Sequence, residues 1–474
     1  MTKQQKSKKK TLFLIGLSLL IPALIAAYFL IDENCRYFKC FFYDLHADYS
    51  YAFPKDSVSP VMLEKDGFRW PSVKTGADTA FLKVPIRTDW TSVLFLPYIE
   101  IHCHGIVLKQ YFEKTGRGVR YLNLSPLLEA IPSFAPGEKI TLKGHHLSWD
   151  QGASEFYLFQ NPTLQKEKIL VLAPHPDDAE IATFGLYNDR DAYVVTITAG
   201  EGGKSNYKHF FKNLERQALF KGRIRTWDSV VIPFWGGISP LRCFNLGYFD
   251  ETLSLMFRNP SKKTSSPFTK TSSLSTFRQY NVSDLLSKDA PVEATWNNLV
   301  ADLEHLLTEI NPSIIVTPNP VVDGHSDHQF TTLALLEALQ HTPSVKGSLY
   351  LYTVHAAYAS RWPFGTSKSV VSLPPSFSKI PFFEKICSLH LPLDVYTKKF
   401  FAIDDMHDIR PVYFLNMQQT TEAWWIVLQS VYLHWKTTQT MRKYLRMDEL
   451  FFVASMQDAP LLRKVFLKNL APEH

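Results

Sequence analysis

Two short stretches of this chain concentrate the residue types that bind metals and move protons. The first is "APHPDDAE", residues 173 to 180, where His175, Asp177, Asp178 and Glu180 follow the apolar run "ILVLA". The second is "PNPVVDGHSDHQ", residues 318 to 329, where Asp323, His325, Asp327 and His328 follow "SIIVT". Charges do not normally crowd the end of a buried strand. In open α/β sheets, functional groups gather in loops beyond the carboxyl ends of strands, so two such loops can face each other across a crevice. One histidine and one aspartate from the first loop, with one histidine from the second, make a set of two imidazoles and a carboxylate. That set leaves a coordination position open for water, as catalytic zinc requires. Non-haem iron uses the same donors, so ligand type alone does not select Zn2+ over Fe2+. A leftover carboxylate can take a proton from water, and a leftover histidine can polarise or protonate a tetrahedral species. Taken alone, the first loop also fits helix capping, since aspartate favours early helix positions. His325 and His328 are what argue for chemistry, whereas Glu180 reads as early-helix charge facing the dipole.

Elements must position these loops. After about residue 167 strand-like runs ("KILVLA", "AYVVTITA", "SIIVTPN", "SLYLYTVH") alternate with helical patterns. In "EATWNNLVADLEHLLTEI", Trp296, Leu299, Val300, Leu303, Leu306, Leu307 and Ile310 recur at helical spacing. This alternation predicts an α/β fold over 167–460: a Rossmann-like, mostly parallel sheet with helices on both faces. An insertion at about 238–292 reads as a solvated loop. Residues 61–163 carry short alternating segments between Gly, Pro and Asp turns, which predicts a small all-β, sandwich-like accessory domain. Within it, His102 and His104 flank Cys103 in an alternating strand and point the same way; they read as a polar strand face, with a second metal site as the alternative. His145 and His146 read likewise. Residues 32–60 form a linker.

The chain opens with five lysines in its first ten residues, and residues 11–31 carry no charge. At about 1.5 Å per residue, such a run spans a bilayer core of about 30 Å. The expectation is a basic cytoplasmic tail (1–10), an uncleaved transmembrane anchor (11–31), and a catalytic domain on the periplasmic or extracytoplasmic side. The net charge of +6 is modest, and no basic stripe with interleaved aromatics suggests nucleic acid. The first strand-to-helix loop is not G-x-G-x-x-G, so no nucleotide cofactor is expected. Five cysteines are too few for a disulfide scaffold.

"PHPDDAE", the later "DGHSDHQ" and the intermediate "TAGEGG" (198–203) resemble the zinc-dependent de-N-acetylase family of LmbE-like proteins and the GlcNAc-phosphatidylinositol deacetylase. The resemblance implies that His175, Asp178 and His328 are metal ligands, that Asp177 is the general base, and that His325 stabilises the oxyanion or protonates the leaving amine. Asp323 resembles a carboxylate that orients a histidine. Glu201 in the glycine loop, Lys212 on the following segment, and His355 and Trp362 in "TVHAAYASRWPFG" are weaker candidates for lining the site. "FLNMQQT" resembles a degenerate form of a family helix. Departures include Ala179 between Asp178 and Glu180, and Lys212 and Glu215 where members show Arg-x-x-Glu. The implied activity is removal of acetyl from an N-acetylated sugar of an envelope glycan or glycolipid. The alternative is a catalytically silent glycan-binding protein.

Overall fold

The first half of the chain follows a two-residue period, and that period decides what each strand face touches. The structure, a computed structural model, describes residues 28, 31–72, 76–131, 134–203, 207–208, 210–286, 290–378, 381–409 and 443–470. Nine strands, β1 (Val58–Glu64), β2 (Gly67–Arg69), β3 (Thr79–Thr88), β4 (Tyr98–Cys103), β5 (Ile106–Tyr111), β6 (Arg117–Asn123), β7 (Lys139–His145), β8 (Leu147–Trp149) and β9 (Gly152–Phe159), form one antiparallel sheet. Their order is β5-β4-β7-β2-β1-β9-β3-β6, with β8 also on β3. Alternate residues of β3 face opposite ways. Ala80, Leu82, Val84 and Ile86 join the sheet's inner cluster, while Phe81 joins the core shared with the second sheet.

This corrects the expected sandwich. β3 is ten residues long and pairs β9 at Thr79–Leu82, β6 at Phe81–Arg87 and β8 at Ile86–Thr88. One strand thus carries neighbours on both edges along its length. Because β8 follows β7 directly, the sheet curls back on itself into a nearly closed, barrel-like layer instead of splitting in two.

The second sheet comprises β10 (Ile169–Ala173), β11 (Ala192–Thr198), β12 (Cys243–Tyr248), β13 (Ile314–Pro318), β14 (Ser348–Tyr352), β15 (Lys385–His390) and β16 (Asp448–Ser455), in the order β12-β11-β10-β13-β14-β16-β15. β10 to β14 pair in parallel, but β16 is antiparallel to both its neighbours. The sheet is therefore mixed, not the plain Rossmann-like parallel sheet expected. The reason is topological: β15 ends at His390, and β16 starts at Asp448, its direct partner. The intervening chain returns to the sheet end it left, so the next strand can only run back.

The expected membrane-spanning helix and extracytoplasmic placement are also corrected. Among the described residues, no helix is long and apolar enough to cross a membrane. Most of the 11–31 run, and the basic tail, lie outside the described residues. The described helical turn 31–38 packs on protein: Tyr37 is buried, its hydroxyl accepts the Lys114 N–H at 2.9 Å, and Arg361 pairs with Glu33 at 2.9 Å.

Segment 41–51 is fastened to the curled sheet by a buried ion pair. Arg120 on β6 donates from Nε to Glu113 at 2.6 Å, and its other nitrogens reach the carbonyls of Ala47 and Leu45, both at 2.9 Å. The guanidinium also lies over the Tyr49 ring, 4.0 Å from its centroid. Breaking a buried pair leaves an uncompensated charge, so Arg120→Ala should cost about 3–5 kcal/mol by urea denaturation, whereas Arg120→Met with Glu113→Leu should recover most of it.

Candidate metal centre

Each loop that carries the site leaves a strand whose every residue is buried. β10 runs out at Ala173, and the next carbonyl, Pro174, is held by the N–H and hydroxyl of Thr198, both at 2.9 Å. Helix α1 (Asp178–Ala182) then starts at once, with Asp177 before it at φ 142°. A non-glycine residue so far into positive φ costs on the order of 1–3 kcal/mol and persists only when its surroundings hold it. Arg225, buried on helix α2 (Leu214–Val231), does this: its Nη2 contacts the Asp177 carboxylate at 3.1 Å and donates to the Pro176 carbonyl at 2.8 Å. The second loop leaves β13 and ends at helix α3 (Ser326–His341), placing His325 just before the first turn and His328 within it.

Three atoms meet. His175 Nδ1 lies 3.2 Å from Asp178 Oδ2, His328 Nε2 lies 3.1 Å from that same oxygen, and the two ring nitrogens are 3.3 Å apart. The outer ring nitrogens fix which lone pairs face inward. His328 Nδ1 contacts Asp323 Oδ2 at 3.2 Å, while His175 Nε2 contacts Asp250 Oδ1 at 3.1 Å and Asp327 Oδ2 at 3.4 Å. Carboxylates only accept, so those outer nitrogens carry the protons, and the tautomers follow from the partners. With the rings neutral, as metal binding requires, two imidazole lone pairs and one carboxylate oxygen converge without a donor between them. Zinc bonds of about 2.0–2.1 Å in a tetrahedron place ligand atoms about 3.3 Å apart, so the donor set and spacing fit a divalent cation. They do not choose between zinc and iron.

Electrostatics agree. Burial disfavours charge on His328, but the neighbouring carboxylates of Asp178 and Asp323 outweigh it and raise its pKa to about 10. His175 is raised too, against burial, by Asp250 and Asp178. Either protons or a bound cation must neutralise this concentration of acids. Asp177 goes the other way: burial pushes its carboxyl up to about 6 against the pull of Arg225, and Asp178 adds to the rise. Burial, with the charged rings of His175 and His328, holds His325 down to about 4. Its ring sits 4.7 Å from that of His175, and its Nδ1 has no hydrogen-bond partner among the described residues.

The remaining expected residues fall into three groups. Asp323 is buried, and besides His328 it accepts the N–H groups of Val354 at 2.8 Å, His355 at 3.0 Å and His325 at 3.1 Å. The His355 ring lies 5.0 Å from that of His328, so it belongs to the cluster's wall. Glu201 supports from behind, accepting the Asp250 N–H at 3.2 Å and the Ser266 hydroxyl at 2.7 Å, and burial raises its pKa to about 8. Lys212 and Trp362 are not brought in. Lys212 is exposed ahead of α2, and the Trp362 indole is buried with its N–H on the Ser372 carbonyl at 3.1 Å. "FLNMQQT" lies outside the described residues.

Sequence reasoning missed Asp250, Arg225 and the contact of Asp327. Asp250 had a readable signal: "FNLGYFDE" places an acid just past the third fully buried strand, β12. Asp327 lies inside the second motif, where its oxygens also accept the N–H groups of Glu251 at 2.7 Å and Leu253 at 3.2 Å.

Comparison with known proteins adds the following. Residues 170–339 match the family model PIG-L, GlcNAc-PI de-N-acetylase. No curated protein matches the sequence. Among solved structures, the hydratase GalB (4-carboxy-2-hydroxymuconate hydratase) of Pseudomonas putida KT2440 is 14% identical, with 61% of this chain and 95% of that one covered at a TM-score of 0.29. A putative GDSL-like lipase from Bacteroides ovatus ATCC 8483 is 9% identical, with 59% and 71% covered at a TM-score of 0.14. Neither superposition is close enough to bear on fold or chemistry.

Proposed function

Because residues 170–339 carry a domain of the GlcNAc-PI de-N-acetylase (PIG-L) family, we propose that this protein is a metal-dependent hydrolase that removes acetyl from an N-acetylated amino sugar of the GlcNAc type. The reading rests on one observation: His175 Nδ1, Asp178 Oδ2 and His328 Nε2 converge on a single point with their lone pairs inward. His175, Asp178 and His328 would hold the divalent ion, zinc or iron. When bound, such an ion supplies Lewis acidity that polarises an amide carbonyl and acidifies water.

The chain's own residues do the rest. Asp177 takes the proton of the attacking water, and Arg225 keeps its carboxylate aimed. His325, neutral and with a ring nitrogen that has no partner among the described residues, offers a hydrogen bond to the developing oxyanion, or relays to the departing nitrogen the proton that Asp177 took from water. Asp323, Asp250 and Asp327 hold the ligand histidines in one tautomer. Collapse of the tetrahedral species breaks the carbon–nitrogen bond. Acetate leaves, and the sugar keeps its amine.

Acetate release from GlcNAc oligomers and from a GlcNAc-linked inositol phospholipid tests this. Asp177→Asn should lower turnover by about 10²–10⁴-fold, the usual range for a general base, while leaving the bound metal in place. Equal turnover by that variant, or no acetate from the metal-loaded protein on either substrate class, would overturn the proposal.

A further inference from the structure

Away from that centre, the tip of the β4–β5 hairpin gathers a second group of metal-ligating side chains. Cys103 closes β4, and His104 and Gly105 make the turn, at φ 48° and 81°. Glu138 stands one residue before β7, the strand that pairs with β4. Cys103 Sγ lies 3.9 Å from Glu138 Oε1, and His104 Nε2 is in contact with that same oxygen. The three donor atoms all lie within 4.8 Å of one another. We propose that Cys103, His104 and Glu138 form a second metal site, one that takes a zinc-type divalent cation with solvent as the fourth ligand.

Thiolate, imidazole and carboxylate are the three side-chain donors that zinc accepts. A sulfur ligand also disfavours magnesium and calcium. With bonds of about 2.3 Å to sulfur and about 2.0 Å to oxygen, a tetrahedral ion sets sulfur and oxygen about 3.5 Å apart. The observed separation is close to that, and a cation between the groups would part the His104–Glu138 contact.

The backbone is arranged for this meeting. In a regular strand, residues 102 and 104 share one face and 103 takes the other, so His104 could not reach the Cys103 thiol. The left-handed turn at His104 breaks that alternation. Glu138 is fixed as well: its Oε2 accepts the Ala135 N–H at 3.1 Å, and its carbonyl accepts the Trp70 N–H at 2.7 Å. The neighbouring His102 belongs to a different, already neutralised group, with Glu100 at 3.2 Å and Lys109 on Glu100 at 3.1 Å.

Access suits an ion. The His104 side chain is 58% exposed and the Cys103 residue only 5%. Burial, helped by the charge of Glu138, pushes the Cys103 thiol up to about 11, so the metal-free site holds a protonated sulfur. Binding breaks the S–H bond, forms a sulfur–metal bond and releases the proton to solvent, so uptake rises with pH. A bound ion would staple the β4–β5 hairpin to the start of β7.

Cobalt(II) titration of the full chain is the test, because a thiolate ligand gives cobalt a near-ultraviolet charge-transfer band. The His175, Asp178 and His328 set has no sulfur, so the readout is independent of the deacetylase proposal. Once the His175, Asp178 and His328 set is filled, one further equivalent of cobalt should produce the band, and zinc should displace it. Cys103→Ser should abolish it, and Cys40→Ser should leave it intact. His104→Asn, which tolerates the left-handed turn and touches no core, should weaken binding at least tenfold, and it carries the test should Cys103→Ser not fold. Absence of the band in the unmodified protein, or unchanged affinity in His104→Asn, would overturn the site and leave a surface ion pair beside a core thiol.

Discussion

Asp178→Ala is expected to empty the metal centre and bring acetate release to background, a larger loss than that of Asp177→Asn. The Asp178 Oδ2 atom is the shared vertex of the cluster, 3.2 Å from His175 Nδ1, 3.1 Å from His328 Nε2 and 2.9 Å from the His175 backbone N–H. Without it, two imidazoles remain with no anionic ligand, and a buried N–H loses its acceptor. An orphaned buried donor costs about 1–3 kcal/mol, so the variant should still fold, and circular dichroism can check that. Asp178→Asn keeps the shape and the acceptor but not the charge, and should bind metal more weakly without unfolding. Metal content by mass spectrometry and acetate release should fall together. Full metal content and activity in Asp178→Ala would place the cation elsewhere.

Asp323→Ala should combine a large loss of stability with a loss of metal affinity. Asp323 is fully buried and accepts from His328 Nδ1 and from the N–H groups of His325, Val354 and His355. Removing it strands these donors, at about 3–5 kcal/mol, the cost of breaking a buried charged pair. It also frees His328 to rotate or change tautomer, and loss of such an orienting partner typically costs 10–100-fold in metal affinity. Asp323→Asn should lie between. Urea midpoints and metal competition, measured on the same variants, separate the two effects. Burial works against its charge, but His328 outweighs that and holds the Asp323 carboxyl down to about 2. The sign follows: its folded pKa lies below the unfolded value of about 3.9, so its contribution is complete above about pH 4 and is lost as pH falls toward 2. Metal-free protein with unchanged stability between pH 5 and pH 2 in both forms would contradict this.

Some of the chain reads directly and some does not. The two loops after "ILVLA" and "SIIVT" stand out because acids and histidines interrupt runs that otherwise carry only apolar side chains. The helix at Trp296–Ile310 is equally legible, since its large apolar residues keep a 3.6-residue spacing and face the core. Helix α2 is not. Its inward face carries Lys221, Arg225 and Asp228, so burial leaves no apolar stripe to read, and the exposed Lys212 drew notice in place of Arg225. The reversed strand β16 is buried along nearly its whole length, as the parallel strands are, and direction has no imprint on composition. At His104 a two-residue period continues in the sequence past the point where the strand has ended in a turn.

The sequence by itself settled which residue types could meet a cation, and that they stand at strand ends, because periodicity and charge placement are local properties of the chain. Tertiary structure alone decided that Asp250, 75 positions from His175, turns the ring's outer nitrogen, that Arg225 holds Asp177, and that one sheet is mixed and the other curled. Those outcomes depend on contacts between residues far apart in sequence, and neither the tautomer of an imidazole nor the partner of a buried charge exists until the fold supplies the neighbour.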